Sequence, residues 1–282
     1  MGQAVAQVEL LVLQELLPIK LNMNTKYTCM ITLNKTLQSL TILICCFISL
    51  ACHSQATANK EKPDSLKLTF KNNVGSQPLV LDKDYTNSFG ETYSVHKFRY
   101  YISQIQIVDN SDMSVQLFKD NYFLVDAGDT STHTITVPLS LKHISYFSFV
   151  LGVDSTSNVS GVQEGALDPA NGMFWTWNSG YIMAKLQGKS PVAQAAGNAF
   201  SFDIGGFKTG ENAARKMEFT IKAGGKNKAV HNIVISADVN KWFNGAHAIK
   251  IAEHPGCHEA GALAMQVADN YATMFSLVQS SR

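Results

Sequence analysis

Cysteine is scarce in this sequence, and the short motifs that mark common catalytic sites are missing. Four of the five cysteines lie within the first 52 residues and the fifth is Cys257, which excludes a disulfide framework in the rest of the chain. There is no Gly-x-Ser-x-Gly elbow, P-loop, Gly-x-Gly-x-x-Gly, His-Glu-x-x-His or Cys-x-x-Cys motif. We therefore expect a binding or structural protein and not an enzyme.

An excess of charge of either sign is also missing. Setting aside the three lysines and two glutamates of residues 1–51 from the 23 basic and 22 acidic residues leaves a formal charge of zero. A neutral chain has no field to steer it toward nucleic acid or an anionic membrane surface. Nucleic acid is therefore excluded as an expected partner.

The chain has one long apolar run, residues 40–51, and it is too short to cross a membrane comfortably. Lys35 precedes the run, and polar sequence follows it at once, which is the layout of a secretory signal peptide. We predict that residues 1–51 are this signal. A start at Met30 would give it the usual length, and residues 1–29 would then be an artefact of the assigned gene start.

The end of the predicted signal resembles a bacterial lipobox. The sequence is Ser49-Leu50-Ala51-Cys52, with serine where leucine is commoner. Lipidation of Cys52 would anchor the protein to a membrane, and the polar residues 52–64 would form a flexible tether. The alternative is an ordinary signal peptide that is cleaved after Ala51 or a little later. Both predict an exported protein.

From residue 65 onward, short apolar segments alternate with Gly, Asn, Asp and Ser, which predicts an all-β fold. We expect a single antiparallel β-sandwich over residues 65–278. Apolar residues recur at helical spacing over residues 259–277, which predicts a short C-terminal helix. The predicted strands are 65–71, 93–108, 122–125, 133–137, 146–153, 176–186, 199–207, 216–221 and 231–239.

All eight histidines lie beyond residue 52, and strand alternation directs three of them to apolar faces. In strand 93–108, His96 is predicted to share a face with Phe98 and Tyr100. His133 and His231 are predicted to share faces with aliphatic residues in the same way. A buried neutral imidazole needs a hydrogen bond or a metal ion, and the pattern alone allows either.

The densest group of potential metal ligands is His254-Pro255-Gly256-Cys257-His258. Two imidazoles and a thiol suit Cu(I) or Zn(II). If Pro255 opens the C-terminal helix, His258 lies about one turn beyond His254 and both can face one ion. The alternative is that His254 caps or precedes the helix and His258 is simply exposed.

Two of the three tryptophans, Trp175 and Trp177, are one residue apart. Asp168-Pro169 and Gly172 before them are predicted to form the turn that aims the two indoles, and Gly180 follows them. In an extended chain their indoles project from one face. That face could be part of the core, a binding platform or a redox-active group. A buried indole most often anchors packing.

Several segments match one known family, and together they span most of residues 65–276. They are 98–103, 151–154, 165–169, 172–181 with the two tryptophans, 185–188, 241–243 and 269–275. In these segments the chain resembles the MbnP-like family, which comprises exported proteins related to the methanobactin-associated periplasmic protein and to methanotroph copper proteins.

The resemblance implies a β-sandwich lipoprotein of the cell envelope that takes part in copper handling. Relatives bind copper through histidines together with a tryptophan oxidised to kynurenine. That oxidation is attributed to a di-haem peroxidase-like partner protein. In this chain the expected copper ligands are His96, His254, His258 and Cys257. Trp175 or Trp177 is the expected redox-active aromatic residue.

One residue departs from the family pattern. Relatives often carry a histidine in the segment that corresponds to residues 200–207, where this chain has Asp203. A carboxylate is a poor ligand for Cu(I). The alternative function is therefore a structural or partner-binding envelope lipoprotein without a metal, in which the Trp-x-Trp face is core or a docking surface.

Overall fold

The described strands form two sheets, and the buried side chains of both sheets form one hydrophobic core. The computed structural model describes residues 64–141, 143–177, 180–221 and 232–281, so the predicted signal peptide, Cys52, most of the predicted tether and His231 lie outside the described residues. In the first strand Leu66, Leu68 and Phe70 are buried, and the intervening side chains face outward. This is the period of two that a strand with one covered face requires.

The described elements are mostly strands. Two short α-helices are present, α1 and α2, together with several single-turn 3-10 segments. In chain order the elements are β1 (Ser65–Val74), β2 (Gln77–Pro78), β3 (Asp84–Thr86), β4 (Thr92–Asp109), β5 (Ser114–Asp126), β6 (Thr134–Pro138), β7 (Tyr146–Leu151), α1 (Ser155–Val159), β8 (Phe174–Trp175), β9 (Gly180–Lys189), β10 (Ala199–Gly205), β11 (Arg215–Thr220), β12 (Asn232–Asp238), β13 (Gly256–Cys257), α2 (Ala262–Ala272) and β14 (Phe275–Ser281).

The all-β prediction with a short helix is confirmed, but both sheets are mixed and not purely antiparallel. The smaller sheet has the order β14-β12-β1-β2, with β6 also on β1. The larger has the order β11-β7-β4-β9-β10-β13, with β3 and β5 on β4 and β8 on β9. Strand β1 runs parallel to β12, and β10 runs parallel to β13. These partners are far apart in sequence and are reached by crossovers, whereas hairpins would have made them antiparallel.

Aromatic side chains from the two sheets meet in the core. The ring of Phe70 on β1 lies 6.1 Å from that of Tyr100 on β4 and 5.6 Å from that of Phe149 on β7, measured between centroids. The Tyr100 hydroxyl donates a hydrogen bond of 2.9 Å to Asn72 Oδ1 across the same interface. Edge-on aromatic pairs of this kind add to the free energy gained from burial alone.

The C-terminal helix is shorter than predicted. Helix α2 ends at Ala272, and β14 then pairs with β12 from Phe275 onward. Residues 275–277 fit the helical spacing and a strand equally well, and pairing with the edge of β12 decides between them. Neither described helix is long and apolar enough to cross a membrane.

The predicted orientation of His96 is wrong. The register between β4 and β9 shifts between Val95 and Lys97, so an extra residue bulges out of β4 at His96. A bulge reverses the alternation on either side of it. His96 is consequently exposed, while Val95 and Phe98 are both buried. His133 ends a 3-10 turn, and one of its ring nitrogens lies 2.9 Å from the carbonyl oxygen of Asp126.

Candidate functional site

The two neighbouring tryptophans occupy different environments. Trp175 ends β8, which pairs with the start of β9, and it is only 5% exposed. Trp177 lies in the following turn and is 65% exposed. Their ring centroids are 5.5 Å apart with planes tilted by 38°. The predicted aromatic surface therefore exists, with one ring seated in the protein and the other open to solvent.

Glycine at the end of β10 makes room for Trp175. A Cβ atom at Gly205 would lie 2.7 Å from the Trp175 ring and 2.7 Å from the carbonyl oxygen of Tyr181. Both contacts are shorter than real Cβ atoms show, so only glycine lets the indole approach this strand end so closely.

The loop before β8 is folded by its own turn residues. Asp168 Oδ1 accepts a hydrogen bond of 2.8 Å from the Ala170 amide, which caps the 3-10 turn Pro169–Asn171. Gly172 closes this turn with φ at 67°, a left-handed conformation that glycine adopts without strain. The turn predicted from these residues is confirmed.

Two cations beneath this loop hold it to the larger sheet. Arg99 Nη1 donates to the carbonyl oxygen of Asn171 at 2.6 Å, and Lys185 Nζ donates to that of Gly172 at 2.7 Å. Arg99 and Lys185 are register neighbours on β4 and β9. Arg99 Nη2 also lies 2.7 Å from Asp126 Oδ2. The backbone that leads into the Trp-x-Trp segment is thus anchored by partly buried, charge-assisted hydrogen bonds.

Residues 168–177, which contain the turn before β8 and both tryptophans, are called the Trp loop below. The Lys185 ammonium connects this Trp loop to Asp203. Lys185 and Asp203 face each other in the β9–β10 register, with Nζ 3.5 Å from Oδ2. Burial lowers the pKa of Lys185, and the neighbouring Asp203 carboxylate opposes that change. Asp203 Oδ1 accepts a further hydrogen bond of 3.0 Å from Gln187 Nε2. Asp203 is therefore already paired within the sheet.

Asp203 also faces the predicted ligand cluster, because His258 Nδ1 lies 3.5 Å from Asp203 Oδ2. Two residues of the cluster form β13, where Cys257 is the register partner of Phe202 on β10, and the two histidines flank this strand. Cys257 is 7% exposed, and burial raises the pKa of its thiol. The His258 side chain is 54% exposed.

Pro255 does not begin a helix, so the predicted helical spacing of His254 and His258 is wrong. The Pro255 carbonyl oxygen accepts a hydrogen bond of 2.9 Å from the Ser201 amide, and this draws the segment onto the edge of β10 as a strand. Helix α2 starts only at Ala262. Backbone hydrogen bonding to the edge of β10 has outweighed the local preference of proline for the first turn of a helix.

Trp177, Cys257 and His258 line one cavity of about 350 Å³. A second cavity, of about 270 Å³, is lined by both tryptophans and shares Trp177, Glu259 and Ala260 with the first. His96 and His254 line neither of these cavities. The His96 ring instead lies 3.1 Å from Asp82 and is 69% exposed. Within the described ranges, no three His, Cys, Asp or Glu side chains are grouped to hold one metal ion.

Sequence reasoning missed Lys185 as part of this site. A signal for Lys185 was present, because a lysine between Ala184 and Leu186 in an apolar strand needs a buried partner. Glu259 is near the predicted cluster in sequence and lines both cavities.

Comparison with known proteins agrees with the fold and the site segments. The structure of MbnP from Methylosinus trichosporium is similar, with a TM-score of 0.52 and 12% sequence identity over 78% of this chain and 100% of that chain. At this identity the likeness concerns the fold alone. A search of curated proteins finds no significant match. The sequence model of the MbnP family matches residues 63–259, which is most of the chain. The protein therefore belongs to the MbnP family.

Proposed function

We propose that this protein is an exported, lipid-anchored member of its family that binds copper in the cell envelope. The observation that carries the proposal is the cavity where Cys257, His258 and the exposed ring of Trp177 meet. Family membership supports export, because the MbnP-like family comprises exported proteins.

The residues at this cavity fit a soft metal ion. A thiolate selects Cu(I) and an imidazole also suits copper, and here they belong to Cys257, the last residue of β13, and to His258, which follows it. Copper bound there would supply one-electron redox chemistry beside Trp177. The raised pKa of Cys257 means that metal binding must displace the thiol proton, so affinity is expected to rise with pH.

Asp203 takes the part of an orienting residue in this proposal and not that of a ligand. Its carboxylate faces Nδ1 of His258 and is already paired with Lys185 and Gln187. A hydrogen bond donated by Nδ1–H of His258 to this carboxylate would fix the imidazole tautomer and leave Nε2 free to bind the metal. The exchange of a family histidine for Asp203 then alters the ligand set without removing soft donors from the cavity.

Of the two tryptophans, Trp177 is the one we assign to oxidation by a di-haem peroxidase-like partner. It is 65% exposed, whereas Trp175 is 5% exposed and seated against Gly205. A partner protein reaches the exposed ring without opening the fold.

Copper affinity is expected to depend on Cys257 and His258. The purified protein should bind a single Cu(I) ion per chain in competition with a chelating indicator. Cys257→Ser and His258→Ala should each weaken binding by well over about tenfold, and Asp203→Asn by about tenfold or more, which is the usual effect of a group that orients a ligand. The matched control is His96→Ala, which removes an imidazole that contacts Asp82 and should leave affinity unchanged.

Copper stoichiometry near zero, or affinity unchanged in the Cys257→Ser and His258→Ala proteins, would contradict this site. Intact mass of protein purified from its own cells adds a second criterion, because oxidation of tryptophan to kynurenine gives a characteristic mass gain. An unmodified mass together with no copper would support the alternative of a structural or partner-binding lipoprotein.

Lipid anchoring is expected to depend on Cys52, which lies outside the described residues. Cys52→Ala should move the protein from the membrane fraction to the soluble exported fraction, because acyl chains supply the membrane affinity. Cell fractionation and the mass of the mature N-terminal peptide measure this. Equal membrane retention of the Cys52→Ala protein and the unsubstituted chain would refute the anchor.

A further inference from the structure

The cavity of about 270 Å³ beside the tryptophans has a composition that the proposed copper site does not explain. Its aromatic walls are Trp175, Trp177 and Phe207. Its charged groups are Lys208, Glu211 and Glu259. One water molecule occupies about 30 Å³ in the liquid, so the space is large enough for a small organic molecule.

Glycines form part of the wall and bring backbone and rings close together. Gly180 and Gly206 line the cavity directly. A Cβ atom at Gly180 would lie 3.2 Å from the Phe207 ring, and one at Gly206 would lie 2.2 Å from the carbonyl oxygen of Glu211. A side chain at Gly206 would force the backbone apart, whereas one at Gly180 would require only a small shift of the Phe207 ring, so the cavity depends chiefly on Gly206.

The charged side chains at this cavity make no ion pair with any residue that the structure describes. Two carboxylates, Glu211 and Glu259, stand against one ammonium, that of Lys208, so the lining carries a formal charge of −1. All three residues are exposed at the rim. An anionic rim around aromatic faces attracts a cation and repels an anion.

The geometry points to a binding site for a quaternary ammonium group. Such a cation has no N–H to donate and is held instead by the negative faces of aromatic rings, best of all by tryptophan. Carboxylates nearby add attraction, and no three His, Cys, Asp or Glu side chains of the described residues are grouped there to hold a metal ion. Trp175 supplies a buried wall, and Trp177 supplies an exposed one. This inference does not depend on the proposed copper function.

Tryptophan fluorescence of the metal-free protein tests the inference directly. Tetramethylammonium chloride is titrated at constant ionic strength against sodium chloride, with a chelator present throughout. A saturable change in emission is expected with tetramethylammonium and with choline, and no change with sodium. Trp242 is buried in the core at 1% exposure and provides a constant background.

Variants of the cavity separate this site from a nonspecific salt effect. Trp177→Ala should weaken tetramethylammonium binding by about 5- to 30-fold, as expected for loss of a tryptophan–cation contact. Trp177→Phe should restore part of the affinity because it restores a ring. Glu211→Gln combined with Glu259→Gln should weaken binding, whereas Lys208→Gln should strengthen it. Binding to the alanine variants is read by calorimetry, which needs no Trp177 signal.

A matched control is Val80→Ala, which removes an exposed apolar side chain away from both cavities and should not change the affinity. The inference is overturned if tetramethylammonium gives only the sodium response, or if Trp177→Ala binds it as tightly as the unsubstituted protein. These measurements use metal-free protein, so their outcome does not depend on whether the protein binds copper in the earlier experiment.

Discussion

Replacing Gly188 by alanine is expected to destabilise the protein by about 3 kcal/mol or more, at the upper end of the cost of overpacking a core. A Cβ atom at this position would lie 1.8 Å from the carbonyl oxygen of Ser94 and 2.8 Å from the ring of Phe200. The first contact is with backbone, which cannot rotate away as a side chain can. Strands β4 and β9 would have to separate to admit the methyl group.

Equilibrium unfolding in urea measures this effect. The matched control is Gly128→Ala, because a Cβ atom at Gly128 would make only ordinary contacts, the nearest at 3.4 Å from Asp126 Oδ1. We expect that control to stay within about 0.5 kcal/mol of the original free energy of unfolding. Failure of the Gly188→Ala protein to fold would agree with the prediction, and stability equal to that of the control would contradict it.

The bulge at His96 explains why position 188 requires glycine. Gly188 pairs with Val95, the last β4 residue before the register shift, while Gln187 pairs with Lys97 beyond it. The extra residue bends β4 toward β9 at this point, and glycine is the residue that tolerates so close an approach. The same bend turns His96 outward to Asp82, which separates it from Cys257 and His258.

The sequence was sufficient where local pattern determines structure. The strand predicted over residues 65–71 is present as part of β1, and Leu66, Leu68 and Phe70 on its inner face are all buried. The turn at Asp168 and Gly172 followed from residue preferences that act over a few positions. Val95 and Phe98 also carried the signal of the bulge, because both are apolar although they are three residues apart.

Long-range pairing could not be predicted in the same way. Nothing in His254-Pro255-Gly256-Cys257-His258 indicates that this segment becomes a strand beside β10, because its partner lies about fifty residues earlier in the chain. That pairing places Cys257 and His258 next to Trp177. Local preference favoured a helix start at Pro255, and it was outweighed by hydrogen bonds to a sheet edge.

Lys185→Met is expected to cost about 3 kcal/mol of stability, because it removes one partner of a buried ion pair. Methionine fills similar space, so the effect isolates the ammonium. The Lys185 and Asp203 side chains are only 10% and 13% exposed, and Lys185 also donates to the Gly172 carbonyl oxygen at 2.7 Å. Without the ammonium, the buried Asp203 carboxylate has no lysine partner, and the Trp loop lacks the hydrogen bond from Lys185 to Gly172.

The matched control is Lys216→Met, which breaks a surface pair with Glu218 in which both side chains are more than half exposed. Exposed pairs contribute about 0–1 kcal/mol, so this variant should unfold close to the unsubstituted protein. A free energy of unfolding for Lys185→Met equal to that of the control would contradict the buried pair.

A double variant separates the two roles of Lys185, which are to pair with Asp203 and to donate a hydrogen bond to Gly172. Adding Asp203→Asn to Lys185→Met removes the stranded carboxylate charge, so part of the lost stability should return. The Trp loop, however, still lacks its donor to Gly172, and Trp177 fluorescence should stay altered in both variants. Recovery of stability without recovery of the fluorescence would establish Lys185 as the residue that holds the Trp-x-Trp segment over the sheet, with Asp203 as the group that makes its burial tolerable. Recovery of both, or of neither, would contradict that division.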